Sequence, residues 1–309
     1  MRIVAPSFTI LDSLDQQSLA ARIEFCGRIC YKSEHRIEAG SAIPFVRRMA
    51  EHGHNSVLEM AVVSLEITCA PAHIANLYFC QPKFWQIDRL STTQLLVTGS
   101  MRAFKEMAQQ HPDDAISGAI VLFLGKRHPY FFEGLFDGRE EGSSEIRVTK
   151  IPLEQIERLE REQVAKHRYL AVKFIVNRAV THELVRHRPC TFLQESQRYC
   201  RYSADKFGNE VTFIKPLFFP AESEEFQVWQ ASMEAMEKQY LHLLRTSTPQ
   251  AARTVLPNSC KTEIIVYANL AEWRHILELR TSPAAEPSMR EVMIPLQEEL
   301  HRRYPAIIP

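Results

Sequence analysis

Tyr169-Leu-Ala-Val-Lys-Phe-Ile-Val-Asn-Arg178-Ala-Val-Thr-His-Glu-Leu-Val-Arg-His-Arg188-Pro189 changes its hydrophobic period part-way along, and that change sets the fold class. Residues 169–176 form an apolar, β-rich run of the length of a buried strand. Arg178 to Arg188 reads as a helix, and Pro189 suits its end because proline disfavours helical geometry at Arg188. A strand feeding straight into a helix is the unit from which α/β and α+β proteins are built.

The same alternation extends outward. Thr262–Asn269 reads as a strand followed by two helices, and Glu224–Arg245 as one long amphipathic helix. Upstream, Leu19, Ile23, Cys26 and Cys30 fall at helical spacing within Ser18–Tyr31. A second helix through Ala42–Ala50 stops at His52-Gly53-His54, where Gly53 suits a C-terminal cap. Val62–Thr68 alternates as a half-buried strand does, and Leu95–Gly99 reads as a strand leading into a helix from Met101. Residues 111–150 mix Pro, Gly and charge and read as a surface excursion. No internal repeat or low-complexity tract is apparent. The expectation is one α/β (α+β-like) domain over 1–309, with a twisted central sheet flanked by helices.

Lys plus Arg balances Asp plus Glu at 37 each, so no global field recruits nucleic acid or a membrane surface. An anionic ligand must then be gripped by a local arginine cluster. No apolar run approaches the roughly 20 residues that span a bilayer, and the amino terminus lacks a signal-peptide pattern. The seven scattered cysteines read as free thiols of a reducing cytoplasm rather than a disulfide framework. Cys26 and Cys30 read as core packing, and no metal site is expected.

The local cluster lies in Arg186-His187-Arg188-Pro-Cys-Thr-Phe-Leu-Gln194-Glu195-Ser196-Gln-Arg198-Tyr199-Cys-Arg201, with four Arg and one His in sixteen residues. Guanidinium groups pair bidentately with phosphate and stack on flat rings. The bland alternative is a solvated basic turn. Against it, the charges flank apolar Leu184, Val185, Phe192 and Leu193, and the stretch carries little turn chemistry.

Arg186-His187-Arg188, seven residues, then Ser196-Gln-Arg198-Tyr199 resembles the signature motif of flavin-dependent thymidylate synthases. Three more segments resemble that family in the same order: Gly53-His54-Asn-Ser56-Val-Leu-Glu59, Ala252-Arg253-Thr-Val-Leu256-Pro257, and Asn269 followed by Leu277-Glu-Leu-Arg280. The resemblance covers roughly 1–70 and 166–300 and makes about 71–165 an inserted segment. Met60 replaces a frequent His, and Ala285-Glu-Pro-Ser-Met-Arg290 departs from the family's Ala-Gln-x-Glu-Ile-Arg.

The resemblance implies reductive methylation of dUMP to dTMP, with FAD as cofactor and NADPH and methylenetetrahydrofolate as co-substrates. It implies that Arg280 faces the uracil edge, where a cation stabilises charge developing as C5 attacks, and that His54 orients the methylene donor. Ser56, Arg186, His187, Arg188, Gln194, Asn269 and His275 would contact the flavin. Glu183, Arg186, Gln194, Glu195, Ser196, Arg198, Arg253 and Arg280 would hold dUMP. The resemblance also implies a homotetramer with sites between subunits. By default His54 would cap carbonyls, and Arg253 and Arg280 would be surface arginines.

Three rival readings exist. Cys190 after Pro189 suggests thiol attack on the pyrimidine, but Thr191 follows where a cysteine-dependent synthase resembles Pro-Cys-His. His182-Glu-Leu-Val-Arg-His187 suggests a zinc hydrolase, but five-residue spacing turns the two side chains about 140° apart on a helix. A nucleotide- or RNA-binding protein without turnover is the third, and neutral net charge argues against its RNA form.

Overall fold

The computed structural model describes residues 1–133 and 145–309. Ten strands form among these residues: β1 (Arg2–Val4), β2 (Ser7–Ile10), β3 (Val62–Thr68), β4 (Gln86–Arg89), β5 (Gln94–Ser100), β6 (Arg147–Ile151), β7 (Tyr169–Asn177), β8 (Thr191–Gln194), β9 (Thr212–Ile214) and β10 (Lys261–Asn269). The mixed α/β class holds. Where one central sheet is expected, the strands divide between two four-stranded antiparallel sheets and a short parallel pair, β1–β9.

The first sheet has the order β2-β7-β10-β8. Its period-two alternation sorts side chains cleanly. Val172, Phe174, Val176, Ile264, Val266 and Ala268 face one way, into a core shared with helices 178–184, 270–280 and 287–303. Ala171, Leu193, Ile265 and Tyr267 face the other way, toward helix Leu19–Ile29 and the short 3-10 segment Asn55–Met60. Ser18 caps the first of these helices through its hydroxyl, and Gly53, at φ 69°, closes helix Ala42–Glu51 as expected.

The second sheet, in the order β4-β5-β3-β6, repeats the first. β10 pairs with β7 and β8, and β5 pairs with β3 and β4, all antiparallel. Asn269 ends β10 opposite Tyr169 and caps helix Leu270–Arg280; Ser100 ends β5 opposite Val62 and caps helix Met101–Gln110. Two residues earlier, Tyr267 stands opposite Thr191 and Thr98 opposite Gln86. Asn177 precedes helix Arg178–Leu184 as Ala70 precedes helix Pro71–Cys80. The absence of a repeat, expected from the residues, is therefore corrected at the level of topology. The two frames share register, not side chains.

A polar seam joins the sheets. Ser64 and Thr98 hydroxyls lie 2.6 Å apart, Thr98 reaches His167 Nδ1 at 2.7 Å, and His167 Nε2 lies 3.3 Å from Asp88. Burial pushes the His167 pKa down, with Asp88 opposing.

The surface excursion expected over 111–150 is also corrected. Helix Ala115–Arg127 buries Ile116, Ile120, Val121 and Leu124, and β6 is an edge strand of the second sheet. Residues 134–144 of that stretch lie outside the described residues. Helix 178–184 stops at Leu184, short of Pro189, so proline is not its terminator. A third core, built on Phe213, Phe226, Trp229, Met233 and Tyr240, packs helix Glu224–Leu243 beside β9.

Candidate functional site

Helix 178–184 carries Glu183 and ends just before His187, while helix 270–280 ends at Arg280. Both helices lie on one face of the first sheet, which brings their ends together. Arg280 Nε donates to His187 Nε2 at 2.9 Å, Nη1 to Glu183 Oε2 at 2.6 Å, and Nη2 to the Glu183 carbonyl at 3.2 Å. The guanidinium is thus held from two sides, by a carboxylate and by a neutral imidazole. His187 is buried, and that burial, then Arg280 and His275, lowers its pKa to about 4. The His275 ring stands edge-on to His187 at 5.9 Å between centroids, and Glu272 lies 4.0 Å from His187 Nδ1.

Gln194, on the same face, donates from Nε2 to the hydroxyls of Thr181 (2.9 Å) and Thr262 (3.3 Å). Asn269 uses both ends of its amide locally, accepting from the Glu272 amide at 2.8 Å and donating to the Lys166 carbonyl at 3.0 Å. Arg186 and Arg188 are exposed; Arg188 Nη1 donates to the Val185 and His187 carbonyls at 2.5 and 2.7 Å.

The residue after Gln194 turns to the opposite face. Glu195 is 2% exposed, accepts from Tyr202 Oη and Lys261 Nζ at 2.8 Å each, and so buries a carboxylate beneath the Ser196 loop. Lys261 also donates to Glu263, which Lys32 reaches at 2.9 Å. Burial alone would raise the Glu263 pKa, but Lys261 and Lys32 outweigh it and hold it at about 2.

Above this network the Ser196 amide donates to the Cys30 carbonyl at 2.9 Å. Tyr199 packs on Tyr31 at 5.2 Å, Tyr31 hydrogen-bonds His54 Nδ1 at 2.8 Å, and the exposed Arg198 lies over the Tyr199 ring. Ser56 is exposed two residues beyond His54. Arg253, half-buried, stands near enough to Arg178 to help lower its pKa, for which burial is the main cause.

Within one chain, then, the expected residues form two groups. Glu183, His187, His275 and Arg280 meet on the helical face. His54, Ser196 and Arg198 meet on the other face with Tyr31 and Tyr199, and Glu195 anchors their loop from below. Sequence reasoning did not single out Tyr31, Lys261, Glu263 or Glu272. The alternation of Lys261 and Glu263 on one strand face was the available signal.

The rival chemistries fare differently. Burial, then Glu272 beside it, pushes the Cys190 thiol up, which withholds the thiolate that nucleophilic attack needs. His182 is exposed and His187 buried, and among the described residues no group of three or more metal-ligating side chains gathers. Among those residues no helix is long and apolar enough to cross a membrane.

A cavity of about 260 Å³ opens where the two sheets meet. Tyr169, Thr191 and Tyr267 of the first sheet line it with Phe84, Gln86 and Arg102 of the second unit. Glu59 joins its two sides: Thr191 Oγ1 donates to it at 3.1 Å and Arg102 Nη1 at 2.7 Å. Burial raises the Glu59 pKa while these donors oppose the rise.

A family described as thymidylate synthase complementing protein matches residues 11–78 and 136–306. The unmatched residues 79–135 lie inside the segment expected as an insertion. Flavin-dependent thymidylate synthase of Corynebacterium efficiens is 32% identical over 142 residues, 43% of this chain and 57% of that protein. The enzyme of the same name from Pyrococcus abyssi is 34% identical over 128 residues, 41% and 52% of the two chains. That of Geobacter sulfurreducens is 35% identical over 120 residues, 38% and 50%. The chain spans about half the length of the curated relatives it matches. Among solved structures, the UMP/dUMP methylase PolB from Streptomyces cacaoi, bound with 5-Br dUMP, aligns at a TM-score of 0.38 and 19% identity, over 48% of this chain and 74% of that one. Because the family match takes in well over half of the sequence, the chain belongs to the thymidylate synthase complementing protein family.

Proposed function

We propose that this protein is a flavin-dependent thymidylate synthase, methylating dUMP with methylenetetrahydrofolate and NADPH as co-substrates. The observation that carries the reading is the Arg280 guanidinium, drawn from the far end of the chain onto His187 of the arginine motif and fixed by Glu183. A pre-positioned cation costs no reorganisation when charge develops on a pyrimidine ring, which is how electrostatic catalysis is achieved. Glu183 and His187 act through Arg280 and are positioning residues in this reading.

The cavity's lining fits a flavin. The aromatic residues Tyr169 and Tyr267 in its lining suit a flat ring, and Thr191 and Gln86 suit a hydrogen-bonding ring edge. At about 260 Å³ the cavity lies below the roughly 300–1,000 Å³ usual for whole ligands, so it suits a ring system rather than an entire dinucleotide. When bound, the flavin supplies the electron pair and carries the one-carbon unit, chemistry that side chains lack. The chain's own residues orient and exclude. Arg188 lines the cavity beside Pro189, and His54, held by Tyr31, is read as orienting the folate.

The nucleotide is read as held by Arg198, Ser196, Arg253 and Arg186. Because Arg198 and Arg280 belong to different groups within one chain, the site is read as completed between copies, in a homotetramer. Seven free cysteines support a reducing cytoplasm as its place.

The test is tritium release from C5-labelled dUMP by protein supplied with FAD, NADPH and methylenetetrahydrofolate. Release dependent on all three co-reactants supports the reading. Flavin and dUMP binding without release replaces it with a nucleotide-binding protein that has lost turnover.

A further inference from the structure

We propose that the second, repeated unit is an internal partner of the first, and that its Phe84, Gln86 and Arg102 form one wall of the flavin cleft; this rests on the flavin reading above. Three independent features point there. The cavity is lined by matching positions of the two frames: Thr191 with Gln86, and Tyr169 with Val62. The cleft is therefore walled by both frames of one chain.

The second feature is Phe84. It is 66% exposed, lines the cavity and sits at φ 62°, a left-handed backbone that a bulky residue rarely adopts. An apolar ring held out to water by strained backbone is a surface waiting for a flat partner.

The third is the bridge across three segments. Thr191 of the first sheet, Glu59 of the 3-10 segment and Arg102 of the second unit are joined by hydrogen bonds of 3.1 and 2.7 Å, and Arg102 Nε donates to Glu106 at 2.7 Å. Arg102 is the only cation in direct contact with Glu59 among the described residues, and it fixes which way that carboxylate points. It is a positioning residue, acting on the ligand's ring edge through Glu59. Its place in the chain lies within residues 79–135, which the family match does not take in.

The ligand class is a planar heteroaromatic ring with donors and acceptors along its edge. The inference separates two duties. The first unit brings Arg280 and the arginine motif. The second, with His111 where the register places Arg280 and Asn76 where it places Glu183, brings none of that chemistry and gives a wall.

The experiment titrates FAD into wild-type protein, Phe84→Ala, Arg102→Ala and Arg102→Lys, following flavin fluorescence and the shape of its absorption band. Phe84→Ala and Arg102→Ala are expected to bind FAD at least about tenfold more weakly. Arg102→Lys recovers part of the affinity, and Phe84→Ala shifts the bound flavin's absorption toward that of free flavin. Phe84 is exposed, so its loss leaves folding intact, and circular dichroism verifies this. Wild-type protein that takes up FAD, with both alanine variants within twofold of it, overturns the inference and leaves the proposed function standing. Wild-type protein that takes up no FAD overturns both.

Discussion

Arg280 and His187 are joined by a 2.9 Å hydrogen bond across a separation of 93 residues, and its direction fixes the state of both partners. A guanidinium only donates, so Nε2 of His187 is an acceptor and the ring proton sits on Nδ1, the side facing Glu272. The imidazole is neutral. Among the described residues the positive charge of Arg280 therefore has one counter-charge in direct contact, Glu183, and the remainder of its field is free to act on a ligand.

Replacing Arg280 with lysine keeps the charge and removes the fork that engages Glu183 and His187 together. Arg280→Lys is expected to lower kcat by about a hundredfold, and Arg280→Ala to abolish turnover. Tritium release and a melting curve check both parts. A lysine variant with near-normal kcat would show that the two-sided grip does not matter.

Arg198→Ala removes an exposed guanidinium that contributes nothing to the core. The expected result is abolished turnover with the melting temperature unchanged and dUMP binding at least about tenfold weaker. Equilibrium titration of dUMP measures the second effect directly.

The His187 pKa sits at about 4 against an ordinary 6.5, so the unfolded chain binds the proton more readily than the folded one. Stability from this group is full above pH 6.5 and falls as pH drops from 6.5 toward 4, by roughly 2–3 kcal/mol. Urea unfolding between pH 7 and 4 should show that slope in wild-type protein and a flatter one in His187→Gln. Equal slopes would remove His187 as the cause.

Lys261 stands between two buried carboxylates, Glu195 and Glu263. Lys261→Met leaves both without a shared cation and is expected to destabilise the protein by about 3 kcal/mol, read from the urea midpoint. In wild-type protein the Glu263 contribution is complete above pH 4.5 and is lost as pH falls toward 2; the variant should lose less in that window.

Much of the frame is legible in the residues because period and caps are local. Helix 19–29, helix 42–51 and β10 lie within two residues of their expected bounds, each marked by a cap or a β-branched run. Helix 178–184 is shorter than expected because it ends at Leu184, five residues before Pro189. The helix within 111–150 is signalled by Ile116, Ile120, Val121 and Leu124, which fall at helical spacing among the Pro and Gly residues of that stretch.

Of the site, the arginines and histidines are legible as types but not as neighbours. Nothing local distinguishes Glu195, which disappears under a loop, from Ser196, which stays near the surface. That distinction belongs to strand parity: Gln194 and Glu195 point to opposite sides of β8, toward Thr181 and toward Lys261. The repeat is invisible for a related reason. Ser100 and Asn269 share a capping duty, but not a side chain, and a backbone ladder does not require the same residue at matching positions.

Pairing two strands asks only that amide and carbonyl meet at the right interval; it sets no demand on which atoms hang from the Cα. A duplicate scaffold relieved of recognition can therefore drift freely in composition while its ladder stays in step. In this chain residues 79–135 fall outside the family match, while β4 and β5 within them belong to a sheet whose strand order the first sheet also displays.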